Sequence, residues 1–356
     1  MKEEVSGKIF KNQRFYIGID VHKKSWTVTI RSDGIVLKTY TMNPSVKELA
    51  AYMGKHYPGG KYYSVYESGF AGYWIHRKLE EEGIKNLVVA PTEIPTSSWE
   101  KNHKSDPTDS RKLSRLLEND TIEGIFIPTQ KQQEFRSLVR LRSQMVRSQI
   151  RLKNQIKGYL NFYGHKLSED QTGKNWSGKY IEELSNLEFE YEAGKEQMKI
   201  YLECFVQNKE TILRTVKAIR LFVKELELEE EIKLLMSVPG IGYITAVTLQ
   251  SELMDTKRFS GFDNLKSYSG LIPSTRSSGE KDRDLGIIRN HNKYLRQLLV
   301  ESAWVAVRKD PALTLAYGKY IRKMSKQEAI IRIAKKLLSR IAFVMREKKK
   351  YELSIV

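Results

Sequence analysis

Two runs rich in β-branched and aromatic residues, "SWTVTIRS" (25–32) and "IVLKTYTM" (35–42), are separated by the dipeptide Asp33-Gly34. An Asp-Gly pair between such runs is a strong hairpin signal, because both central residues of the favoured turn need positive φ. A third apolar run, "RFYIGIDV" (14–21), stands directly before them. The chain therefore begins as an antiparallel sheet. The next elements alternate instead: a helix over 44–57 with Pro44 near its start, the strand "KYYSVYES" (61–68), a helix over 69–83 closed by Gly83, the short buried strand "NLVVAP" (86–91), and after a loop the helix "DPTDSRKLSRLLEND" (106–120). Three strands, helix, strand, helix, strand, helix predicts an α/β fold whose mixed sheet joins a hairpin to parallel crossovers.

The rest of the chain reads as helical. Residues 131–163 form one long basic helix, about 50 Å if unbroken. Residues 165–178 read as a loop. Beyond it Leu202, Phe205, Lys209, Ile212, Val216, Ile219, Val223 and Leu226 recur at spacings of 3 and 4, a coiled-coil seam broken only by Lys209. Such a seam fits either the preceding basic helix of the same chain or another subunit. From Met236 the character changes: "SVPGIGYITAVTLQSEL" (237–253) reads as a helix, a Pro-Gly-Ile-Gly turn and a helix. A Gly- and Ser-rich stretch occupies 259–286, and apolar-basic helices are expected at about 292–308 and 325–346. Three domains are expected: 1–128, 129–234 as a helical coiled-coil linker, and a mainly α domain over 235–356.

With 356 residues and 40% apolar content, the chain can build real cores, and it has no apolar run of membrane-spanning length. The start "MKEEVSGKIF" lacks the apolar core of a signal peptide, and a single cysteine, Cys204, precludes an intrachain disulfide. A reducing, cytoplasmic setting without a membrane is the expectation. Charge says more about partners. Lys and Arg total 61 against 43 Asp and Glu, a net +18 that attracts polyanions. The surplus is segregated: 19 basic against 6 acidic residues over 281–350, and 8 against 1 over 131–163, while 181–232 reverses to 7 against 13.

Four acids stand out. Asp20 ends the first strand, Glu67 ends the fourth, and Asp106 and Asp109 open a helix, three residues apart on one face of its first turn. Taken singly each is ordinary, since Asp at a helix start is commonly a cap or a dipole partner. Taken together, acids on two strand ends and a helix start converge if the strands are neighbours. Their repulsion then calls for a cation, and Mg2+ or Mn2+ takes such oxygen donors for phosphoryl transfer.

"YIGIDVHK", "YESG" and "KSDPTDSRKL" resemble the three blocks of the RuvC-like DEDD domain of the insertion sequence 110 family of transposases. "SVPGIGYITAVTL", "YSGLIPSTRSSG" and "RNHNKYLRQLLVESAW" resemble that family's C-terminal domain. The resemblance runs in order along nearly the whole chain. It implies an RNase-H-like N-terminal domain and a metal held by Asp20, Glu67, Asp106 and Asp109. It also implies a site-specific DNA recombinase in which the serine before the glycine of "TRSSG" attacks DNA. By position that serine is Ser278, with Ser277 as the neighbouring alternative. The family further implies a structured noncoding bridge RNA that pairs with donor and target DNA, and an oligomer, a dimer or a tetramer on DNA.

The Pro239-Gly240-Ile241-Gly242 turn resembles a helix–hairpin–helix, in which Gly240 and Gly242 would let backbone N–H groups approach a phosphate; a tight interhelical turn without ligand is the other reading. Arg276, Lys281, Arg283, Arg289, Lys293 and Arg296 are the cations expected on nucleic acid around Ser278. Arg136, Arg140, Arg147 and Arg151 line parts of the basic helix. Two rival functions share these features: a Holliday-junction-type nuclease that uses water and leaves no covalent adduct, and a non-catalytic RNA- or DNA-binding scaffold.

Overall fold

The computed structural model describes residues 10–95, 105–165, 176–278, 281–287 and 291–353, with the side chains of 274–287 left out of the description. The chain divides into two compact units, 1–127 and 128–356.

The first unit is a five-stranded sheet in the order β3-β2-β1-β4-β5. Its strands are β1 (Arg14–Val21), β2 (Trp26–Ser32), β3 (Ile35–Met42), β4 (Lys61–Glu67) and β5 (Lys85–Val89). β1, β2 and β3 pair antiparallel, and the Asp-Gly turn joins β2 to β3 with both residues at positive φ, 51° at Asp33 and 76° at Gly34. β4 runs parallel to β1, and β5 parallel to β4. This mixed topology is RuvC-like. The chain crosses from β3 to β4 through α1 (Val46–His56) and from β4 to β5 through α2 (Trp74–Glu81). α1 is capped by Ser45, whose hydroxyl accepts from the Glu48 amide. The helix expected over 69–83 starts only at Trp74, because 69–73 are spent on a turn with Gly72 at positive φ.

Pleating sorts the strands between two cores. Phe15, Ile17 and Ile19 of β1 and Tyr66 of β4 face α1 and α2 in one cluster with Trp26, Leu49, Ile75 and Leu79. The opposite face carries Tyr16, Gly18 and Asp20. It is covered by α3 (Asp106–Glu118), whose Leu113 joins Val65, Val89 and Ile122 in a second cluster.

Among its described residues the second unit is helical apart from one hairpin. α4 (Gln130–Phe162) opens on a reciprocal capping box between Thr129 and Gln132. It packs against α6 (Glu192–Glu225), with short α5 (Gly178–Ser185) at their far end. Tyr159 donates to the Gly194 carbonyl at 2.8 Å and Gln149 to the Phe205 carbonyl at 3.3 Å, a register that makes the pair antiparallel. Leu202, Phe205, Ile219 and Val223 of the heptad are buried, so the seam is packed within one chain. A polar layer crosses it midway, where Asn208 bonds Gln149 and the Met145 carbonyl.

α7 (Glu229–Met236), α8 (Tyr243–Leu253), α9 (Phe262–Tyr268), α10 (Lys293–Lys309), α11 (Pro311–Ile321) and α12 (Lys326–Glu347) share one core with the first turns of α4 and the end of α6. The Gly- and Ser-rich stretch holds regular structure. It carries α9 and the hairpin β6 (Pro273–Ser278) and β7 (Lys281–Ile287). α11 is likewise an element that the sequence pattern does not announce. It starts on Pro311, with Asp310 as its N-cap accepting from the Leu313 amide.

Candidate metal centre and nucleic-acid interface

Asp20 is the next-to-last residue of β1 and Glu67 the last of β4. The parallel register pairs Ile19 with Tyr66, which sets Asp20 and Glu67 side by side at the same end of the sheet and on the same face. The helix that brings the other two acids depends on a glycine. A Cβ added at Gly18 would overlap the Ser110 carbonyl oxygen and lie 2.5 Å from the Ser114 amide nitrogen. α3 therefore lies directly on β1, presenting its small residues Ser110 and Ser114 one turn apart. Ser110 is fully buried and its hydroxyl meets that of Thr29 at 2.8 Å. At the other end of the helix Glu118 accepts from Arg31 Nε at 2.8 Å and from the Gly34 amide at 2.8 Å. These contacts fix α3 so that its first turn, with Asp106 and Asp109, reaches the end of β1.

Ligand atoms of Asp20, His22 and Asp106 all lie within 4.8 Å of one another. His22 Nε2 is 3.2 Å from Asp20 Oδ2 and 3.5 Å from Asp106 Oδ1. Burial pushes the Asp20 carboxyl above its usual range; His22 opposes the shift, and the charges of Asp106 and Asp109 add to it. Asp109 is thus electrically part of the site. Glu67 stands on the adjoining strand end and is exposed. The donor set, carboxylate oxygens with one imidazole, suits a hard divalent ion such as Mg2+ or Mn2+, and the unfavourable charge on Asp20 is what a cation would relieve. The sequence pattern does not single out His22, although it lies two residues beyond Asp20 and so just past the strand end on the same side. Asp106 and Asp109 also sit where a helix N-terminus favours acids, and the two roles are compatible.

In the second unit Ser278 is the last residue of β6 and pairs with Lys281, the first of β7; Ser277 pairs with Asp282 and Arg276 with Arg283. The serine thus stands at the tip of a two-stranded hairpin. Arg289 lies outside the described residues. Lys293 is exposed in the first turn of α10, with its ammonium 5.4 Å from the centre of the Tyr294 ring. Arg296 donates from Nε to the Gly270 carbonyl at 2.8 Å, and burial lowers its pKa.

The two glycines of the Pro-Gly-Ile-Gly turn differ. Gly240 has φ of 87°, and a Cβ there would overlap the Ser302 carbonyl oxygen of α10. Its glycine is needed for helix packing. Gly242 caps α8, and a Cβ there would meet nothing within 4 Å. Arg140 is engaged inside the protein: its Nε and Nη2 donate to the two carboxylate oxygens of fully buried Glu252 at 2.6 and 2.7 Å. Asn292 adds a third donor to Glu252 at 2.7 Å. Among the described residues no helix is long and apolar enough to cross a membrane.

Residues 17–165 match the DEDD-type IS110 transposase model, and residues 232–318 match the model described as the transposase IS116/IS110/IS902 family. The protein y4qE of Sinorhizobium fredii is 28% identical over 68% of this chain and 58% of its own length. The transposase for insertion sequence element IS1111A of Coxiella burnetii is 27% identical over 67% of this chain and 64% of its own. The transposase for insertion sequence element IS1533 of Leptospira borgpetersenii is 24% identical over 82% of this chain and 85% of its own. The chain thus spans about 60% of the first two relatives.

Proposed function

Since this chain belongs to the IS110 family of transposases, we propose that it is a site-specific DNA recombinase that cuts and rejoins strands through a phosphoserine link. The observation that carries this reading is the meeting of Asp20, His22 and Asp106 at one end of the RuvC-like sheet, with Asp109 close enough to raise the Asp20 pKa. Asp20, Asp106 and Asp109, with Glu67 on the next strand, would hold Mg2+ or Mn2+. Such an ion, when bound, polarises a phosphate and stabilises a developing oxyanion.

Ser278 is the nucleophile in this reading. Its Oγ forms a bond to phosphorus as the phosphorus–oxygen bond of one strand breaks; the serine proton leaves, and the departing strand oxygen takes one up. The phosphoserine conserves the phosphodiester energy, so rejoining needs no ATP. A hairpin tip suits this role, because a strand end flanked by Arg276 and Lys281 can enter a DNA backbone. Division of labour between a domain of acids, a helical linker over 129–234 and a serine domain over 235–356 would make cutting depend on assembly. Family membership supports a structured bridge RNA that pairs with donor and target DNA, and an oligomer on DNA. The wide positive surplus of 281–350 suits both polyanions.

The test uses a suicide DNA substrate with RNA co-purified from the native locus. Ser278→Ala should bind DNA and RNA yet form no adduct, while Ser277→Ala retains adduct formation. Asp20→Asn should fold and fail to cut. Cleavage with free ends and no adduct would replace this reading with a water-using nuclease, and an adduct mapped to Ser277 would reassign the nucleophile.

A further inference from the structure

The helical unit has a cleft of about 350 Å3 between α4, α8 and α10. Arg142 and Arg147 line it from α4, Thr245 from α8, and Lys293 and Glu301 from α10. Three cations therefore face one carboxylate, and Glu301 already accepts from Gln297 at 2.7 Å. Arg142 is the telling residue. Its Nε is buried and has no hydrogen-bond partner among the described residues. Two positions earlier on the same helix, Arg140 has two N–H donors met by the buried Glu252 carboxylate. The fold satisfies one guanidinium and leaves its neighbour with a donor unmet. A buried N–H without an acceptor is costly, and a cleft-lining guanidinium that no carboxylate among the described residues neutralises keeps its charge for a ligand.

The other cations are held in place. The Tyr294 ring has the Arg140 guanidinium 4.9 Å from its centre, that of Arg147 at 5.4 Å and the Lys293 ammonium at 5.4 Å. An aromatic pillar of this kind lowers the entropy lost when the charges engage an anion. Gly240 sets the cleft's width, since only a glycine lets the turn before α8 close on Ser302 of α10. The cleft also runs along the start of α8, whose positive end adds to the field. Its α4 and α10 walls belong to the basic stretches 131–163 and 281–350. That continuity argues for a polyanion rather than a small acid.

We infer that this cleft seats a backbone phosphodiester of nucleic acid, with Arg142 and Arg147 as donors and Lys293 at the rim. The inference rests on the reading that the chain works on nucleic acid, and it moves the contact from the glycine turn itself to the arginines of α4 opposite it.

The test measures binding of the full chain to a duplex DNA and to a single-stranded RNA of equal length, by anisotropy over a range of salt. The double variant Arg142→Gln/Arg147→Gln should lower the slope of log affinity against log salt by about 0.7–0.9 for each phosphate no longer neutralised. Lys224→Gln, an exposed cation on α6, should change neither slope nor affinity. Lys293→Gln, at an exposed position on the rim, should lower the slope in part and decides the matter if the double variant melts. Weaker binding of both probes marks shared phosphate chemistry; weaker binding of one identifies the source. Unchanged slopes on both probes, in variants with native circular dichroism and melting, overturn the inference. Asp20→Asn is scored separately for cleavage. If it fails to cut while the cleft variants bind normally, the cleft inference alone falls. If it still cuts while the cleft variants bind weakly, the proposed function falls and the cleft stands.

Discussion

Gly18→Ala is the sharpest probe of how the acidic site is assembled, because it touches none of the acids. A Cβ at this position lies 2.5 Å from the Ser114 amide nitrogen and overlaps the Ser110 carbonyl. Ordinary contact begins near 3.4 Å, so α3 must retreat from β1 by about 1 Å or more. Overpacking of this kind costs about 1–3 kcal/mol, which for a unit of about 130 residues is a fall of roughly 4 °C in Tm per kcal/mol. The functional effect should be larger. Asp106 and Asp109 ride on the displaced helix, while Asp20 and His22 stay with β1, so the group now within 4.8 Å opens. An error of about 1 Å in a catalytic constellation is enough for a loss near 100-fold. Thermal melts with and without Mn2+, together with a DNA-cutting assay, would measure both effects. Gly54→Ala is the control, a helical glycine whose added Cβ meets nothing within 4 Å; it should stabilise by about 0.5–1 kcal/mol. A Gly18→Ala protein with native Mn2+ stabilisation and native cutting would refute the argument that this glycine positions the acids.

Asp20→Asn should abolish stabilisation by Mn2+ while leaving the metal-free protein at least as stable, because it removes a half-buried charge repelled by Asp106 and Asp109; a large loss of metal-free Tm would contradict this. Since the Asp20 carboxyl is raised, the folded state holds its proton above the usual carboxylate range, near 3.9. Metal-free stability should therefore fall as pH rises through that window, and Mn2+ affinity should climb across it, as calorimetry at several pH values would show. Arg140→Ala leaves the Glu252 charge buried without its main partner and should cost about 3–5 kcal/mol in denaturant unfolding; a cost below about 1 kcal/mol would mean that Asn292 alone suffices. Gly240→Ala, at φ of 87° against the Ser302 carbonyl, should destabilise the helical unit beyond the effect of Gly242→Ala, which adds its Cβ into open space.

The first unit is legible in the sequence because its signals are local. The Asp-Gly turn fixes one hairpin, and the alternation along β1 assigns Asp20 to one face. The strand order is recoverable from the sequence of elements, since parallel neighbours need crossovers. Where reading fails, the cause is composition. Gly and Ser over 259–286 hide two elements: Phe262, Leu265 and Tyr268 recur every third residue along α9, and the hairpin pairs the small polar strand "PSTRSS" with the charged strand "KDRDLGI". His22 escapes because a lone histidine after a strand has no periodicity to mark it; its significance comes from Asp106, more than eighty residues away.

The basic helix α4 shows most clearly what spacing cannot say. Arg140, Arg142 and Arg147 look alike in sequence, and their positions give only the direction each faces. Their chemistry is decided by what the chain places opposite. For Arg140 it is Glu252, fully buried on α8, which turns a cation into a structural strut. For Arg147 it is the face of Tyr294, which holds a charge without neutralising it. For Arg142 it is a cleft with no acceptor among the described residues. A net charge counts these three equally, yet only the last two retain a charge for a ligand. Binding by this helix should therefore depend on Arg142 and Arg147, while substitutions at Arg140 register first as lost stability.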